Sequence, residues 1–202
     1  AIVRSYAAES LGRLGHASPE VVAALLTAAD DSETNVHRFA AESLGRLGHV
    51  SPEVVAVLLA FLHHSDTVIR RSAAEGLGQL GHVSPEVVAA LLAALHDSEG
   101  SVRHSAAEGL GQLGHASPEV VTALVAVLHD SKGILRRSAA QSLGQLGHVS
   151  PEVINELCEA VQAGESTRRR DAAHLLGRIG QGDNLVIDAL WRGLLDKDDG
   201  IR

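Results

Sequence analysis

The sequence contains few aromatic residues: Phe, Tyr and Trp make up 2% of its 202 residues, with one Trp, one Tyr and two Phe. A broad aromatic platform for stacking on a planar ligand is therefore excluded. Alanine, leucine and valine dominate instead. This composition favours helices that pack closely through small and branched side chains.

The chain has a single cysteine, Cys158, which excludes an internal disulfide and fits a reducing compartment. It shows no signal peptide and no apolar run of membrane-spanning length. We therefore predict a cytoplasmic protein without a membrane partner.

Positive charge is scarce, since 17 Lys and Arg residues face 25 Asp and Glu residues, which gives a formal net charge of −8. Proteins that grip nucleic acid need clustered Lys and Arg to neutralise phosphates. Arg168, Arg169 and Arg170 form the one basic run, and we interpret it as a solvated helix start. A nucleic-acid partner is not expected.

What the sequence does contain is a repeat of 33 residues. The tetrapeptide Ser-Pro-Glu-Val recurs at this fixed spacing, and a Leu-Gly-His tripeptide keeps the same period. A period of this length is typical of solenoid proteins, in which each unit packs on its neighbours. The tetrapeptide begins at Ser18, Ser51, Ser84, Ser117 and Ser150.

Each repeat predicts a first helix, here called the A helix. In the third repeat Ile69, Ala73 and Leu77 recur at three- and four-residue spacing and form one apolar stripe. The helix is expected to end at Gly81, because glycine accepts the left-handed conformation that closes a helix. We expect the ring of the following His82 to lie near the free carbonyls of the last turn.

A second helix, the B helix, is predicted to begin directly after this turn. Ser84 is a suitable N-cap, Pro85 fits the first helical position, and Glu86 lies near the positive end of the helix dipole. Val88 and Leu91 begin the buried stripe. The repeat is thus a pair of antiparallel helices, and the chain an all-α protein.

One position inside the A helix is glycine in all six repeats, although glycine costs about 1 kcal/mol relative to alanine there. We infer that neighbouring helices approach so closely at this position that a methyl group would obstruct them. The position is held by Gly12, Gly45, Gly78, Gly111, Gly144 and Gly177.

The pattern resembles the HEAT-like repeats of the phycobilisome-lyase type, which read Val-Arg, then Ala-Ala-Glu-x-Leu-Gly-x-Leu-Gly, then an apolar helix ending in Asp. The resemblance implies a right-handed α-solenoid (superhelix) of six helix-turn-helix repeats, with B helices on the concave side. In the fourth repeat the matching residues are Val102, Arg103, Ala106, Ala107, Glu108, Leu110, Gly111, Leu113, Gly114, Leu124, Leu128 and Asp130.

The resemblance covers the whole chain, which we interpret as a single repeat array from residue 1 to 202. Both ends lack the polar capping repeats that normally seal such an array, so we expect the chain to be a fragment of a longer protein. The repeats run approximately over residues 3–35, 36–68, 69–101, 102–134, 135–167 and 168–200.

The resemblance also implies a ladder in which an Asp at the end of one repeat pairs with an Arg six residues later. His37 and His64 interrupt this pattern in the second repeat. The pairs with the required spacing are Asp97 with Arg103, Asp130 with Arg136, and Asp196 with Arg202.

No residue pattern predicts an enzyme, a metal site or a cofactor. The turn histidines belong to helices about 10 Å wide, too far apart for a zinc ion that needs its donors at about 2.0–2.1 Å. The adjacent His63 and His64 point about 100° apart on a helix. No His-Glu dipeptide occurs, which excludes the di-iron hydroxylase built on such repeats.

Cys158 and Trp191 share a B-helix column and are interpreted as packing residues.

The predicted binding surface is the free side of the B helices. If Val22 and Leu25 face the core, the 100° step per residue places Ala23 and Thr27 on the opposite side, which is alanine-rich where a solvated helix normally carries Lys, Glu or Gln. The predicted partner-binding residues are Ala23, Thr27, Ala56, Ala60, His63, Ala89, Ala93, His96, Thr122, Ala126 and His129.

We expect this surface to bind a protein or peptide, as a non-catalytic module of a larger protein. The resemblance associates such arrays with NTPase or effector domains. Four alternatives stay open: alanine needed for packing alone, self-association through the same face, a bilin-lyase-like or other enzyme-accessory role, and a consensus-like designed repeat protein.

Overall fold

A computed structural model describes residues 1–128, 133–147, 151–162, 166–179 and 184–195. Within these ranges the chain is helical and contains no strand, which confirms the all-α class. The helices are α1 (Ile2–Leu14), α2 (Pro19–Ala28), α3 (Thr34–Leu47), α4 (Pro52–Phe61), α5 (Thr67–Leu80), α6 (Pro85–Ala94), α7 (Gly100–Leu113), α8 (Pro118–Val127), α9 (Gly133–Leu146), α10 (Pro151–Gln162), α11 (Ser166–Ile179) and α12 (Asn184–Leu194).

The odd-numbered helices are the A helices of the six repeats, and the even-numbered ones are the B helices. This alternation at a constant period is the α-solenoid predicted from the sequence; its handedness stays a prediction. None of the helices in the described ranges combines the length and apolarity that crossing a bilayer would require.

The B helices begin as the Ser-Pro-Glu-Val motif predicts. Ser18, Ser51, Ser84 and Ser117 are N-caps, and each hydroxyl accepts a hydrogen bond from the backbone N–H three residues later at 3.2 to 3.4 Å. Proline follows at the first helical position. This arrangement satisfies one of the free donors of the first turn. Ser150 lies outside the described residues.

The A helices of the first five repeats are followed by a glycine in the left-handed conformation, with φ between 63° and 68°. In the third repeat the Gly81 N–H closes the helix by donating to the Gly78 carbonyl at 3.2 Å. The expectation that the following histidine caps these carbonyls is wrong for His16, His49, His82 and His115, whose rings donate to no described carbonyl. In the second and third repeats the N–H of Gly48 and of Gly81 bonds a carbonyl of the last turn instead.

The chain divides into two compact units, Ala1–Leu113 and Gly114–Arg202, here called unit 1 and unit 2. Each has a core of fully buried leucine and isoleucine side chains between its A and B helices. In unit 1 these are Leu25, Leu44, Leu58, Ile69, Leu77, Leu91 and Leu110. In unit 2 they are Leu124, Leu135, Leu143, Leu175 and Leu176.

Neighbouring A helices of unit 1 meet at the repeated glycine position. A methyl group on Gly45 would overlap the backbone of Gly76, and one on Gly78 would overlap that of Gly109. Gly12 faces the side chain of Ser43 in the same way. The prediction of close contact is confirmed at these positions. Gly177 differs, since a methyl group there would meet no described atom within 4 Å.

Candidate functional site

The residues predicted to bind a partner form an exposed strip on the B helices of unit 1. The opposite side of α2 is buried through Val22 and Leu25, which turns Ala23 and Thr27 toward solvent. The same arrangement recurs on α4 and α6. We call the exposed strip the helix-B face, and it consists of Ala23, Thr27, Ala56, Ala60, His63, Ala89, Ala93 and His96.

The alanines of the helix-B face are not covered by adjacent B helices. Ala56, Ala60, Ala89 and Ala93 are all exposed, whereas the close approach between repeats takes place at the glycines of the A helices. The packing alternative requires the B helices to press against these alanines. Their exposure removes the main reason for that alternative in unit 1.

The helix-B face offers few hydrogen-bonding groups. The one hydroxyl on it, that of Thr27, donates to the Ala23 carbonyl of its own helix at 2.9 Å. Its methyl group adds to the apolar surface of the neighbouring alanines. Polar groups occur at one edge, where Asp30, His63 and His96 are exposed.

In unit 2 the corresponding side of the B helices changes character. Thr122 and Ala126 of α8 are exposed, as predicted, and the exposed residues at the same positions of α10 are Asn155 and Glu159. The alanine strip thus gives way to polar side chains. His129, the last predicted binding residue, lies outside the described residues.

Next to the helix-B face, where each B helix meets the following A helix, arginines anchor the turns. Arg70 forms a two-pronged ion pair with Asp97 of its own repeat, with N–O distances of 2.8 and 3.1 Å. The same guanidinium donates to the main-chain oxygens of His64 and Ser65 at 2.9 and 3.0 Å. Arg4 pairs with Asp31 in the same manner. One side chain therefore fixes two successive turns.

This arrangement corrects the ladder implied by the sequence resemblance. The predicted Asp97–Arg103 side-chain pair is wrong: Arg103 donates to the main-chain oxygens of Asp97 and Ser98. The Asp97 carboxylate is occupied by Arg70, 27 residues earlier, and by the backbone N–H of Glu99 at 2.8 Å. Asp130, Asp196 and Arg202 lie outside the described residues.

The ion pairs shift the acidity of their carboxyl groups. The hydrogen bond from Arg70 holds the pKa of Asp97 below its usual range, and the one from Arg4 lowers the pKa of Asp31. Both effects favour the charged form, because each carboxylate accepts charge-assisted hydrogen bonds. The pairs are therefore intact at neutral pH.

In the second repeat, histidines occupy both positions of this ion pair. His37 stands where Arg70 stands one repeat later, and His64 where Asp97 stands. Their rings meet edge-on with centroids 5.7 Å apart, and both contact Phe61. His64 Nδ1 accepts the Asp66 N–H at 3.0 Å, as the carboxylate of Asp97 does for its own turn. Sequence reasoning noticed the interruption but missed this ring cluster.

A small groove between α9 and α11 of unit 2 was also missed by sequence reasoning. Its volume is about 260 Å³, and its lining is rich in basic and amide side chains. The signal in the sequence was the replacement, at Gln141 and His174, of a glutamate found in the first four repeats. The lining residues are Arg137, Ala140, Gln141, Arg170, Asp171 and His174.

The two residues interpreted as packing behave differently. Cys158 is buried, and its thiol lies 3.8 Å from the Leu185 carbonyl oxygen, as expected for a small packing residue. The prediction for Trp191 is wrong, because 62% of its side chain is exposed. Its face of α12 is covered by no described element.

Across the described ranges, no three or more His, Cys, Asp and Glu side chains converge as metal ligands would.

Three segments of the chain, 1–78, 55–144 and 123–202, match the family model for HEAT repeats. No curated protein matches the sequence. The match does not test the phycobilisome-lyase subtype, which stays a prediction.

Several structures share the fold. The X-ray structure of YIBA_ECOLI is 21% identical, with a TM-score of 0.66 over 95% of this chain and 70% of that one. An engineered protein is 19% identical, with a TM-score of 0.58 over 89% and 93% of the two chains. Computationally designed armadillo repeat proteins for modular peptide recognition are 13% identical, with a TM-score of 0.57 over 86% and 92%. Since the matched segments together span residues 1–202, the chain belongs to the HEAT repeat family.

Proposed function

We propose that the chain is a non-catalytic interaction module that binds a protein or peptide partner on the helix-B face. The observation that carries the proposal is the exposure of Ala56, Ala60, Ala89 and Ala93 on neighbouring helices of unit 1. A helix surface that only meets water normally carries charged and long polar side chains. Here it carries methyl groups.

The chemistry of the strip suits an extended peptide or an amphipathic helix. Alanine side chains leave a shallow apolar surface on which a partner backbone or an apolar helix face can lie closely. The edge formed by His63 and His96 offers polar contacts beside it. In unit 2 the corresponding positions of α10 are polar, with Asn155 and Glu159.

The family assignment supports this role. HEAT repeats build elongated surfaces from stacked helix pairs, and such surfaces bind other chains. The designed armadillo proteins that share the fold were made for modular peptide recognition. With Cys158 as its single cysteine the chain forms no internal disulfide, which fits the cytoplasmic location that belongs to the same proposal.

Charging the strip tests the proposal. We expect Ala60→Glu combined with Ala93→Glu to abolish capture of the partner from a lysate of the source cells, read by mass spectrometry, because two carboxylates would have to lose water in an apolar contact. The matched control is Gln79→Glu combined with Gln145→Glu, which adds the same charge at exposed A-helix positions. It should retain the partner.

Circular dichroism of the same variants separates binding from packing. Because Ala60 and Ala93 are exposed, the helix content and melting temperature of the double variant should stay close to those of the wild type. A clear fall in melting temperature would instead identify the alanines as packing residues. Equal capture by wild type and both variants would rule out the helix-B face as the binding surface.

A further inference from the structure

One surface position of the A helices loses its usual partner in unit 2. In unit 1 the basic residue at this position is followed one helical turn later by a glutamate. Arg71 lies 3.7 Å from Glu75, and His104 lies 3.6 Å from Glu108. In the fifth and sixth repeats the corresponding basic residues are arginines, followed by Gln141 and His174 instead. The basic residues stay while the carboxylates are gone.

The two arginines left by this change line the same groove. Arg137 of α9 and Arg170 of α11 both border the cavity of about 260 Å³, and both are exposed. Arg137 has no ion pair within the described ranges. Arg170 donates to the carboxylate of the adjacent Asp171 at 3.4 Å, so its partner is a residue of the groove itself.

One carboxylate lies in the groove, and it is partly neutralised. Asp171 is mostly buried, and its carboxylate also lies 3.6 Å from the guanidinium of Arg136 on the neighbouring helix. Two arginines therefore share this acid, and Arg137 adds a third positive charge. In a chain with a net charge of −8, this makes the groove a local concentration of positive charge.

The side chains that remain are hydrogen-bond donors. Guanidinium groups bind oxyanions through two parallel N–H bonds, and the amide of Gln141 and the ring of His174 each supply a further N–H. The volume lies below the range of about 300–1,000 Å³ that drug-sized ligands occupy. A carboxylate with two oxygens satisfies one arginine, whereas a phosphate group has three free oxygens and about two negative charges.

We propose that the groove between α9 and α11 is a binding site for a phosphate group, held by Arg137 and Arg170 with Gln141 and His174 as further N–H donors. The site lies on the A helices of unit 2 and shares no residue with the helix-B face. It therefore does not depend on the proposed function, and it holds whether or not that face binds a partner.

The proposal is tested by NMR titration of the isotope-labelled protein with sodium phosphate at about pH 7. Sodium chloride keeps the ionic strength constant, because exposed charges respond to salt in general. The arginine side-chain Nε–H signals of Arg137 and Arg170 should shift and saturate with phosphate. Shifts that never saturate, or that chloride reproduces, would overturn the proposal.

Variants assign the binding to the groove. Arg137→Gln and Arg170→Gln should each weaken phosphate binding about tenfold or more, as the loss of a charged hydrogen-bond donor predicts. The matched control is Arg71→Gln, at the same repeat position but beside Glu75, and it should leave the affinity unchanged. If Arg137→Gln unfolds the protein, Arg137→Lys is used instead. It keeps the positive charge but lacks the two parallel N–H donors of the guanidinium, so it should weaken phosphate binding less than Arg137→Gln does.

A second pair of substitutions leaves both arginines in place. Gln141→Glu combined with His174→Glu restores the acidic residues of the earlier repeats, and we expect phosphate binding to weaken at least about tenfold because each arginine regains a partner. Unchanged affinity would contradict the proposal.

A peptide with phosphoserine and the same peptide with serine then distinguish the source of the group. Binding of inorganic phosphate together with the phosphopeptide identifies the phosphoryl group as the ligand wherever it is carried. Binding of inorganic phosphate alone restricts the site to the free anion, and binding of neither excludes it.

Discussion

A single arginine of α5, Arg70, connects the turns at the two ends of the third repeat. The Arg70 guanidinium contacts the carboxylate at the end of its own repeat and two main-chain oxygens of the preceding turn. Both partners of the ion pair are mostly buried, with 13% and 14% of their side chains exposed. The geometry is bidentate, which is the favourable arrangement for an arginine and a carboxylate. We therefore expect this pair to contribute more than an ordinary surface ion pair does.

Removing the charge of Asp97 should reveal this contribution and its pH dependence. We expect Asp97→Asn to lower the free energy of unfolding by about 1–2 kcal/mol at neutral pH. The pKa of Asp97 is lowered in the folded state, so its contribution is present above the ordinary aspartate pKa of about 3.9 and is lost as the pH falls below it.

Urea unfolding at a series of pH values checks this expectation. The difference between wild type and Asp97→Asn should be constant from neutral pH down to about pH 5 and should shrink below about pH 4. Asp30→Asn is the matched control, since Asp30 is exposed and no contact to a described residue holds its side chain. A difference that persists unchanged into acid would contradict the assignment to the ion pair.

In the second repeat, the ion pair can be introduced instead of removed. We expect His37→Arg combined with His64→Asp to raise the stability by about 1 kcal/mol, because it rebuilds the ion pair seen between Arg70 and Asp97. An aspartate at position 64 can also accept the Asp66 N–H that His64 Nδ1 now accepts.

A double-mutant cycle of urea midpoints measures the effect. Each single substitution leaves a charge without its partner, so the gain should appear only when the two are combined. Additive effects would show that no pair forms. His37→Arg removes one ring contact with Phe61, His64→Asp removes the other, and the double variant removes both.

At the level of helices, neighbouring A helices of unit 1 approach each other backbone to backbone at the repeated glycine position. Gly45 of α3 faces the backbone of Gly76 in α5, and Gly78 of α5 faces that of Gly109 in α7. Glycine weakens an isolated helix. In this fold the contacts between closely packed neighbouring helices offset the low helix propensity of glycine.

The same substitution should have opposite effects at two equivalent positions. Gly45→Ala should destabilise the protein by about 1–3 kcal/mol, because its methyl group would overlap the Gly76 backbone, which cannot move aside easily. Gly177→Ala should stabilise it by about 0.5–1 kcal/mol, because alanine favours the helix and no described atom lies within 4 Å. Thermal unfolding by circular dichroism measures both. An equal change in stability for the two variants would show that helix propensity, and not packing, determines the effect at both positions.

The elements were predictable from the sequence because each signal is local. Ser84 with Pro85 marks a helix start, and Gly81 marks a helix end, whatever the rest of the chain does. The partners of side chains across repeats were harder to predict. The spacing of Asp97 and Arg103 indicates only that they are near each other. In the structure the Asp97 carboxylate is bound by Arg70, and Arg103 binds the Asp97 main-chain oxygen.

The binding surfaces show the same division. The exposure of the helix-B face follows from helical periodicity alone, so Ala60 and Ala93 could be placed from the sequence. The groove at Arg137 and Arg170 could not, because its residues come from two helices. The sequence signal for the groove was Gln141, which departs from the repeat pattern. Only the structure shows that Gln141 and Arg170 line the same groove.

At the level of the whole molecule, apolar surface is exposed on the first A helix. Val3 is 81% exposed, whereas its counterparts Val36, Ile69 and Val102 are completely buried. Val36 lies beside residues of the preceding repeat. Leu14 is likewise 76% exposed. This face of α1 therefore has the composition of an interface between repeats. Surfaces of this kind promote association unless a polar capping repeat covers them.

We expect the 202-residue chain to associate at high concentration through this face. Sedimentation velocity over a range of concentrations should show a rising average mass, and Val3→Lys combined with Leu14→Lys should reduce it because charges replace the apolar contacts. The control variant is Arg13→Lys combined with Gln79→Lys, which alters exposed helix residues without removing apolar surface. A monomer at every concentration would contradict this expectation.

The cap signals have a consequence for the history of the gene. Because each of the first five repeats carries its own Ser-Pro start and its own glycine end, a recombination event that removes or duplicates 33 codons among them leaves the new junction with complete caps. A gain or loss of 32 or 34 codons would break one. Unequal crossing-over between the similar third and fourth repeats can thus lengthen or shorten the array in a single genetic step, without passing through a misfolded protein that selection would remove.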